Sequence, residues 1–253
     1  MRPLAVAIVI AILAFAAGVL GLFLQRRLPE RHTKDRSRDM ISSVTSLVSL
    51  MLALVLGTLV SASYSAFSTQ RSELETLATN ALELDMTLAQ YGPDAKPARD
   101  LLRDTLVRSH QLFWGSGVSD PSAFGVAVVL PGFMAISDYL YKLEPTTPTQ
   151  KGLLSSAVGY EKAIEATRLR MSLQLASTIA WPLVLVIGSW SVLLFIGYGL
   201  LSHVNVMTVA VLGFGALSVA GAVFLIIELR HPYSGLLRVP PAALLEAIST
   251  MKE

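Results

Sequence analysis

Residues 171–227 read MSLQLASTIAWPLVLVIGSWSVLLFIGYGLLSHVNVMTVAVLGFGALSVAGAVFLII and contain no Asp, Glu, Lys or Arg. Crossing the hydrocarbon of a bilayer takes about 20 apolar residues, so this run is long enough for two passes. Its central polar cluster, Ser202-His203-Val204-Asn205, reads as a tight turn between antiparallel spans at about 181–201 and 206–227. Such a run cannot form the surface of a soluble domain.

The rest of the chain extends this reading. Hydrophobic residues make up 53% and charged residues 15% of the sequence, whereas a soluble domain carries about 25% charge. Pro3 to Leu24 is apolar throughout and Met40 to Gln70 is free of charge, which adds spans at about 3–24 and 41–62. Ala14-Phe15-Ala16 resembles a signal cleavage site, but the apolar stretch continues through Phe23 and Leu24, past the length of a signal core. An uncleaved span is the better reading. The expected fold class is therefore an all-α membrane protein with four transmembrane helices. Its domains are a first hairpin (1–62), a helical extramembrane domain (63–180), a second hairpin (181–227) and a tail (228–253).

The extramembrane segment holds ten basic and twelve acidic residues. Leu74, Leu77, Ala81, Leu84, Leu88 and Tyr91 follow 3-4-3-4-3 spacing, the apolar stripe of a packed helix. No breaker separates them from the second span, so one helix is expected from about 41 to 91. Gly92-Pro93 should end it, with Gly92 as left-handed cap and Asp94 capping a helix over 95–114. Val126–Leu130 fits strand or helix, and Pro131-Gly132 is expected to restart the chain. Thr147 and Gln150 have capping-box spacing, with Pro148 at the first helical position. The helix that follows carries a second stripe, Leu153, Ala157, Tyr160, Ile164, Thr167, Met171 and Gln174. The two stripes pack on each other or on subunit copies.

Small residues recur at helical spacing inside the spans: Ala7, Ala11, Ala14, Gly18 and Gly21 in the first, Ala210, Gly213, Ala216 and Ala220 in the fourth. They allow close helix approach, within one bundle or between subunits. Span two differs. Ser42, Ser46, Ser49, Ala53, Gly57, Tyr64 and Ser68 share a sector of roughly 100° that is polar as well as small. This face suits a water-filled pore. It equally suits serines bonding back to their own helix carbonyls in a packed bundle.

Enzyme chemistry finds no support. The four histidines (His32, His110, His203, His231) lack metal-ligand spacing, and the absence of cysteine excludes disulfides and thiolate catalysis. There is no phosphate-binding loop or nucleophile elbow. Most carboxylates of 63–180 read as solvated polar faces. No metal, cofactor or nucleic-acid partner is expected, and the net charge of +2 is too small to suggest the last.

Leu84-Asp85, Leu88-Ala89, Tyr91-Gly92-Pro93-Asp94, Leu143-Glu144-Pro145 and the run Glu228 to Val239, with Glu228, Pro232, Tyr233 and Gly235 as its marked positions, together resemble the bacterial bestrophin-like family. That family is a domain of uncharacterised function in inner-membrane proteins. A more distant likeness is to true bestrophins, pentameric anion channels with four spans and a helical domain after the second. Two departures stand out. True bestrophins narrow their pore with bulky apolar residues where this stripe holds Ser, Ala and Gly. They also carry a calcium-binding acidic cluster where Leu236-Leu237-Arg238-Val239-Pro240 stands here. The resemblance implies a multi-pass, homo-oligomeric protein of the bacterial inner membrane, in contact with the lipid bilayer. It also implies a possible path for small ions, with a non-conducting scaffold or signalling protein as the alternative.

Orientation is finely balanced. Loop 25–40 holds six basic residues against three acids, which would place it in the cytoplasm by the positive-inside rule. The resemblance implies the reverse, with the helical domain cytoplasmic, and that arrangement is adopted as the expectation.

Overall fold

The computed structural model describes residues 3–27, 35–115, 126–175 and 181–251, with backbone alone at 35–37 and 126–130. Every regular element among them is helical: α1 (Pro3–Arg27), α2 (Asp35–Tyr91), a 3₁₀ turn (Pro93–Ala95), α3 (Lys96–Trp114), α4 (Val126–Lys142), α5 (Pro148–Leu175), α6 (Trp181–Leu201), α7 (Val206–Glu228) and α8 (Ala242–Thr250). Helices α1, α2, α6 and α7 are each long and apolar enough to cross a membrane. The chain divides into two compact units, one of residues 1–65 with 179–230, the other of residues 66–178 with 231–253.

In the first unit, α1 packs against α6 and α7, and the small-residue stripe of α1 explains how. Ala7, Ala14, Gly18 and Gly21 are all buried. A methyl group placed on Gly21 would run into the Ile196 carbonyl oxygen, and one on Gly199 into the Gly18 carbonyl oxygen. The backbones of α1 and α6 thus meet where neither carries a side chain, which is the small-residue mode of association within a membrane. On α2, Leu52 is buried in the same cluster, with Val48, Val55, Leu56 and Leu59 packed beside it. Thr45 is buried as well, and its hydroxyl sits against Gly197 of α6. The Arg38 guanidinium donates to the Leu201 carbonyl at 3.3 Å, bringing positive charge to the negative end of the α6 dipole. The α6–α7 turn forms as its sequence suggests: Asn205 caps α7, its side-chain oxygen accepting from the Thr208 N–H at 2.6 Å.

The second unit is built on the two stripes. Leu74, Leu77, Ala81, Leu84, Leu88 and Tyr91 of α2 and Ala157, Ile164 and Met171 of α5 all belong to one core within the chain. The core also takes Leu102 and Leu106 of α3, Ile136 and Leu140 of α4, and Leu244 and Ile248 of α8. Each buried aliphatic side chain contributes roughly 1.5–3 kcal/mol, so this shared core is the main source of cohesion in the unit. The capping box forms as expected. The Gln150 N–H donates to the Thr147 hydroxyl at 3.1 Å, and the Thr147 N–H donates to the Gln150 side-chain oxygen at 3.3 Å. Gln150 also donates its amide to the Tyr91 carbonyl at 3.3 Å, and so seals the end of α2.

Three local expectations are corrected. Gly92 has φ 121° and ψ −171°, an extended mirror-region conformation open essentially to glycine alone, instead of the left-handed cap. Asp94 does not cap the next helix. It lies in the 3₁₀ turn Pro93–Ala95, and α3 starts at Lys96 behind Ala95, without a side-chain cap. Pro131 does not restart the chain, because α4 runs through it from Val126 to Lys142. At this point α4 crosses α3: a Cβ on Gly132 would lie 2.6 Å from the Thr105 hydroxyl oxygen. The sequence also suggests a loop at Gly115-Ser116-Gly117 and Asp120-Pro121, of which all but Gly115 lies outside the described residues.

Substituting Gly199→Val should force α1 and α6 apart and cost about 2–3 kcal/mol of stability, as overpacking against a rigid wall does. Gly57→Ala should leave the melting temperature in detergent unchanged or raised, since a Cβ there meets nothing within 4 Å. Equal melting temperatures for Gly199→Val and the parent protein would refute the close-packed crossing.

Candidate functional site

At about 100° per residue, the first half of α2 shows three faces. One is packed and contains Thr45, Val48, Leu52, Val55, Leu56 and Leu59. A second is apolar and bare, with Val44, Leu47, Met51 and Leu54 exposed. Between them lies the polar, small-residue face. Ser42, Ser46, Ala53, Gly57, Tyr64 and Ser68 are exposed, and Ser49 is half-buried. Ser49 sits at the seam with the packed face, where it shares a 3.3 Å hydrogen bond with the Tyr198 hydroxyl of α6. Apart from Ser49, the chain's own helices therefore leave this sector uncovered. Neighbouring hydroxyls do bond back to their helix: Ser43 donates to the Asp39 carbonyl at 2.8 Å and Thr58 to the Val55 carbonyl at 3.0 Å.

The other expected positions follow α7. Glu228, Pro232 and Tyr233 are buried and Gly235 is exposed, with Glu228 in the first unit and the rest in the second. Gly235 has φ 95°, a left-handed conformation that favours glycine. The turn it makes is tied by the Val239 N–H donating to the Pro232 carbonyl at 2.8 Å and by Arg238 Nε donating to the Gly235 carbonyl at 3.0 Å.

Tyr233 is the centre of this element. Its ring meets Trp114 edge-on at 5.5 Å and lies 5.0 Å from Phe113. Trp114 Nε1 donates to the Val239 carbonyl at 2.9 Å, fastening the tail to α3. The Tyr233 hydroxyl donates to Gln70 Oε1 at 3.2 Å, while Gln70 Nε2 donates to Gln174 Oε1 at 2.5 Å and to the Met171 carbonyl at 3.4 Å. One buried polar knot thus joins α2, α5 and the tail. Burial pushes the Tyr233 phenol well above its usual range, so it stays a neutral donor. Gln174 stands on the α5 stripe, and Gln70 falls on the α2 stripe once its spacing is extended back four residues from Leu74. A polar residue ending each apolar stripe was the available signal for this knot.

Two carboxylates depart from the solvated reading. Asp85 is buried and takes Arg99 Nε at 2.8 Å and Nη2 at 2.9 Å, a bidentate pair between α2 and α3. Glu161 is also buried on α5. Its pKa is raised, first by burial and then by Glu165, against lowering by Lys162 and a hydrogen bond with Ser137. Among the described residues, no group of three or more His, Cys, Asp or Glu is placed to hold a metal ion.

Comparison with known proteins places this geometry. A family model described as the Bestrophin-like domain matches residues 12–244. Three solved structures of a bacterial bestrophin homologue from Klebsiella pneumoniae are similar in fold. Two are point-mutant forms. One is 15% identical at TM-score 0.69, covering 100% of this chain and 96% of the homologue. The other is 14% identical at TM-score 0.67, covering 97% and 96%. The third, phased on zinc, is 15% identical at TM-score 0.64, covering 97% and 95%. No curated protein matches the chain.

The raised pKa of Glu161 sets a direction for stability against pH. Below about 4.5, its ordinary value, the acid is neutral both folded and unfolded. Above that, the unfolded chain ionises first, so stability falls as pH rises toward the folded-state pKa. Glu161→Gln should therefore match the parent protein near pH 4 and melt higher near pH 7.5. A variant that melts lower than the parent at pH 7.5 would show that the ionised acid stabilises the fold.

Proposed function

Because this chain belongs to the Bestrophin-like domain family, we propose that it is a multi-pass protein of the bacterial inner membrane whose copies assemble into an ion-conducting pore lined by α2. In this topology α1, α2, α6 and α7 cross the bilayer, and the helical domain between the second and third spans lies in the cytoplasm. The carrying observation is the sector from Ser42 to Ser68, which is small and polar and is left bare by the chain's own helices. In lipid such a sector gains nothing from its hydroxyls, whereas around a shared axis it offers water and ions hydrogen-bonding walls. The exposed apolar face beside it, with Leu47, Met51 and Leu54, suits contact with lipid or a neighbouring subunit. No fixed charge lies between Met40 and Gln70, so discrimination among ions would rest on hydroxyl dipoles and on width.

The shared fold with a bacterial bestrophin homologue, together with the likeness to bestrophins that are anion channels, supports the pore over a non-conducting scaffold. A scaffold that docks a partner through the two heptad stripes needs those faces exposed. Leu77 and Ile164 are both buried in the chain's own core, so those faces are already occupied.

Purified protein in liposomes should conduct small ions, and Gly57→Trp should abolish most of the current while leaving the fold intact. Space around Gly57 makes this variant informative, because a Cβ added there meets nothing of its own chain within 4 Å. Well-folded protein that gives no current above empty liposomes would end the pore reading. For the orientation, a periplasm-only reporter enzyme fused after Glu253 should be inactive.

A further inference from the structure

The second unit carries a partly open cavity of about 320 Å³, within the range of roughly 300–1,000 Å³ of small-ligand sites. Its floor is apolar and aromatic: Leu74, Leu77, Leu106, Phe113, Trp114 and Tyr233. The polar atoms of the wall are largely committed elsewhere. Ser109 donates to the Thr105 carbonyl at 2.8 Å and Ser172 to the Leu169 carbonyl at 2.8 Å. Trp114 and Tyr233 spend their donors on Val239 and Gln70. What faces the cavity is hydrocarbon and ring surface.

The charged groups all come from α5: Lys162, Glu165 and Arg168, two cations to one acid. Arg168 is half-buried, with its guanidinium 4.1 Å from the centre of the Phe133 ring. Among the described residues no carboxylate lies within ion-pair distance of it, and Glu165 acts on it only at longer range. Burial lowers its pKa, so the fold holds a partly desolvated cation whose charge lacks a close counter-ion. A guanidinium in that state is a fork for a planar, two-oxygen anion.

We propose that this cavity binds a medium-chain monocarboxylate, with its alkyl chain among Leu74, Leu106, Phe113, Trp114 and Tyr233 and its carboxylate on Arg168. The cavity lies at the small end of the range of ligand sites, which suits one short alkyl chain with its headgroup better than the two acyl chains of a membrane lipid. This inference is independent of whether α2 lines a pore.

The test uses Trp114 as the reporter. The chain has three tryptophans, and the other two, Trp181 and Trp190, lie in α6. In full-length Trp181→Phe, Trp190→Phe protein held in lipid nanodiscs, 8-bromooctanoate should quench Trp114 saturably, because bromine quenches on contact. The neutral twin 8-bromo-1-octanol should bind at least tenfold more weakly. Arg168→Gln should weaken carboxylate binding by about the same factor, while Arg168→Lys should retain most of it, and Ala166→Phe, on the cavity wall, should block both probes. Three results would overturn the proposal: quenching that never saturates, equal quenching by acid and alcohol, or no quenching because a second copy of the chain fills the cavity.

Discussion

In hydrocarbon a backbone N–H or C=O has no water to bond, so a spanning segment must satisfy these groups from within itself. The four apolar helices meet that requirement, and none contains an internal break: the prolines of α1 and α6, Pro3 and Pro182, stand in the first turn. Once backbone hydrogen bonding is internal, what remains to hold helices together is close contact. The facing of Gly21 and Gly199 provides it, with backbone against backbone between α1 and α6. The polar face of α2 becomes conspicuous for the same reason, since a sector with small side chains and no cover has given up such contact within its own chain.

Much of this was legible in the sequence, where the signal was local. The apolar stripes of α2 and α5, the turn at Ser202–Asn205 and the Thr147–Gln150 box depend on residues a few positions apart, and the structure forms each. The family likeness was legible through short motifs in the right order. Of the candidate pore face, the sequence revealed the grouping of its residues, and the structure added that they are uncovered.

What escaped notice depended on distant partners. Asp85 looked like one more acid on a helix surface, and only the return of α3 brings Arg99 against it. Asp94 had the side chain of a cap, but Gly92-Pro93 leads into a 3₁₀ turn that shifts the helix start to Lys96. Pro131 looked like a boundary because its missing donor usually ends a helix, yet it comes early in α4, and the contacts of Gly132, Phe133 and Ile136 carry the helix onward. The knot of Gln70, Gln174 and Tyr233 was hardest to foresee, since it joins segments more than 100 residues apart.

The continuity of α2 has a mechanical meaning. From Thr58 to Tyr91 the helix contains neither glycine nor proline, and sharp bends in helices arise mostly at such residues. A rod of this kind transmits twist. If the core around Leu74 and Leu84 turns α2 about its long axis by a few degrees, the face carrying Tyr64 and Ser68 turns with it. The helix is then a drive shaft, and torque applied along it changes which side chains the C-terminal end of the polar sector presents.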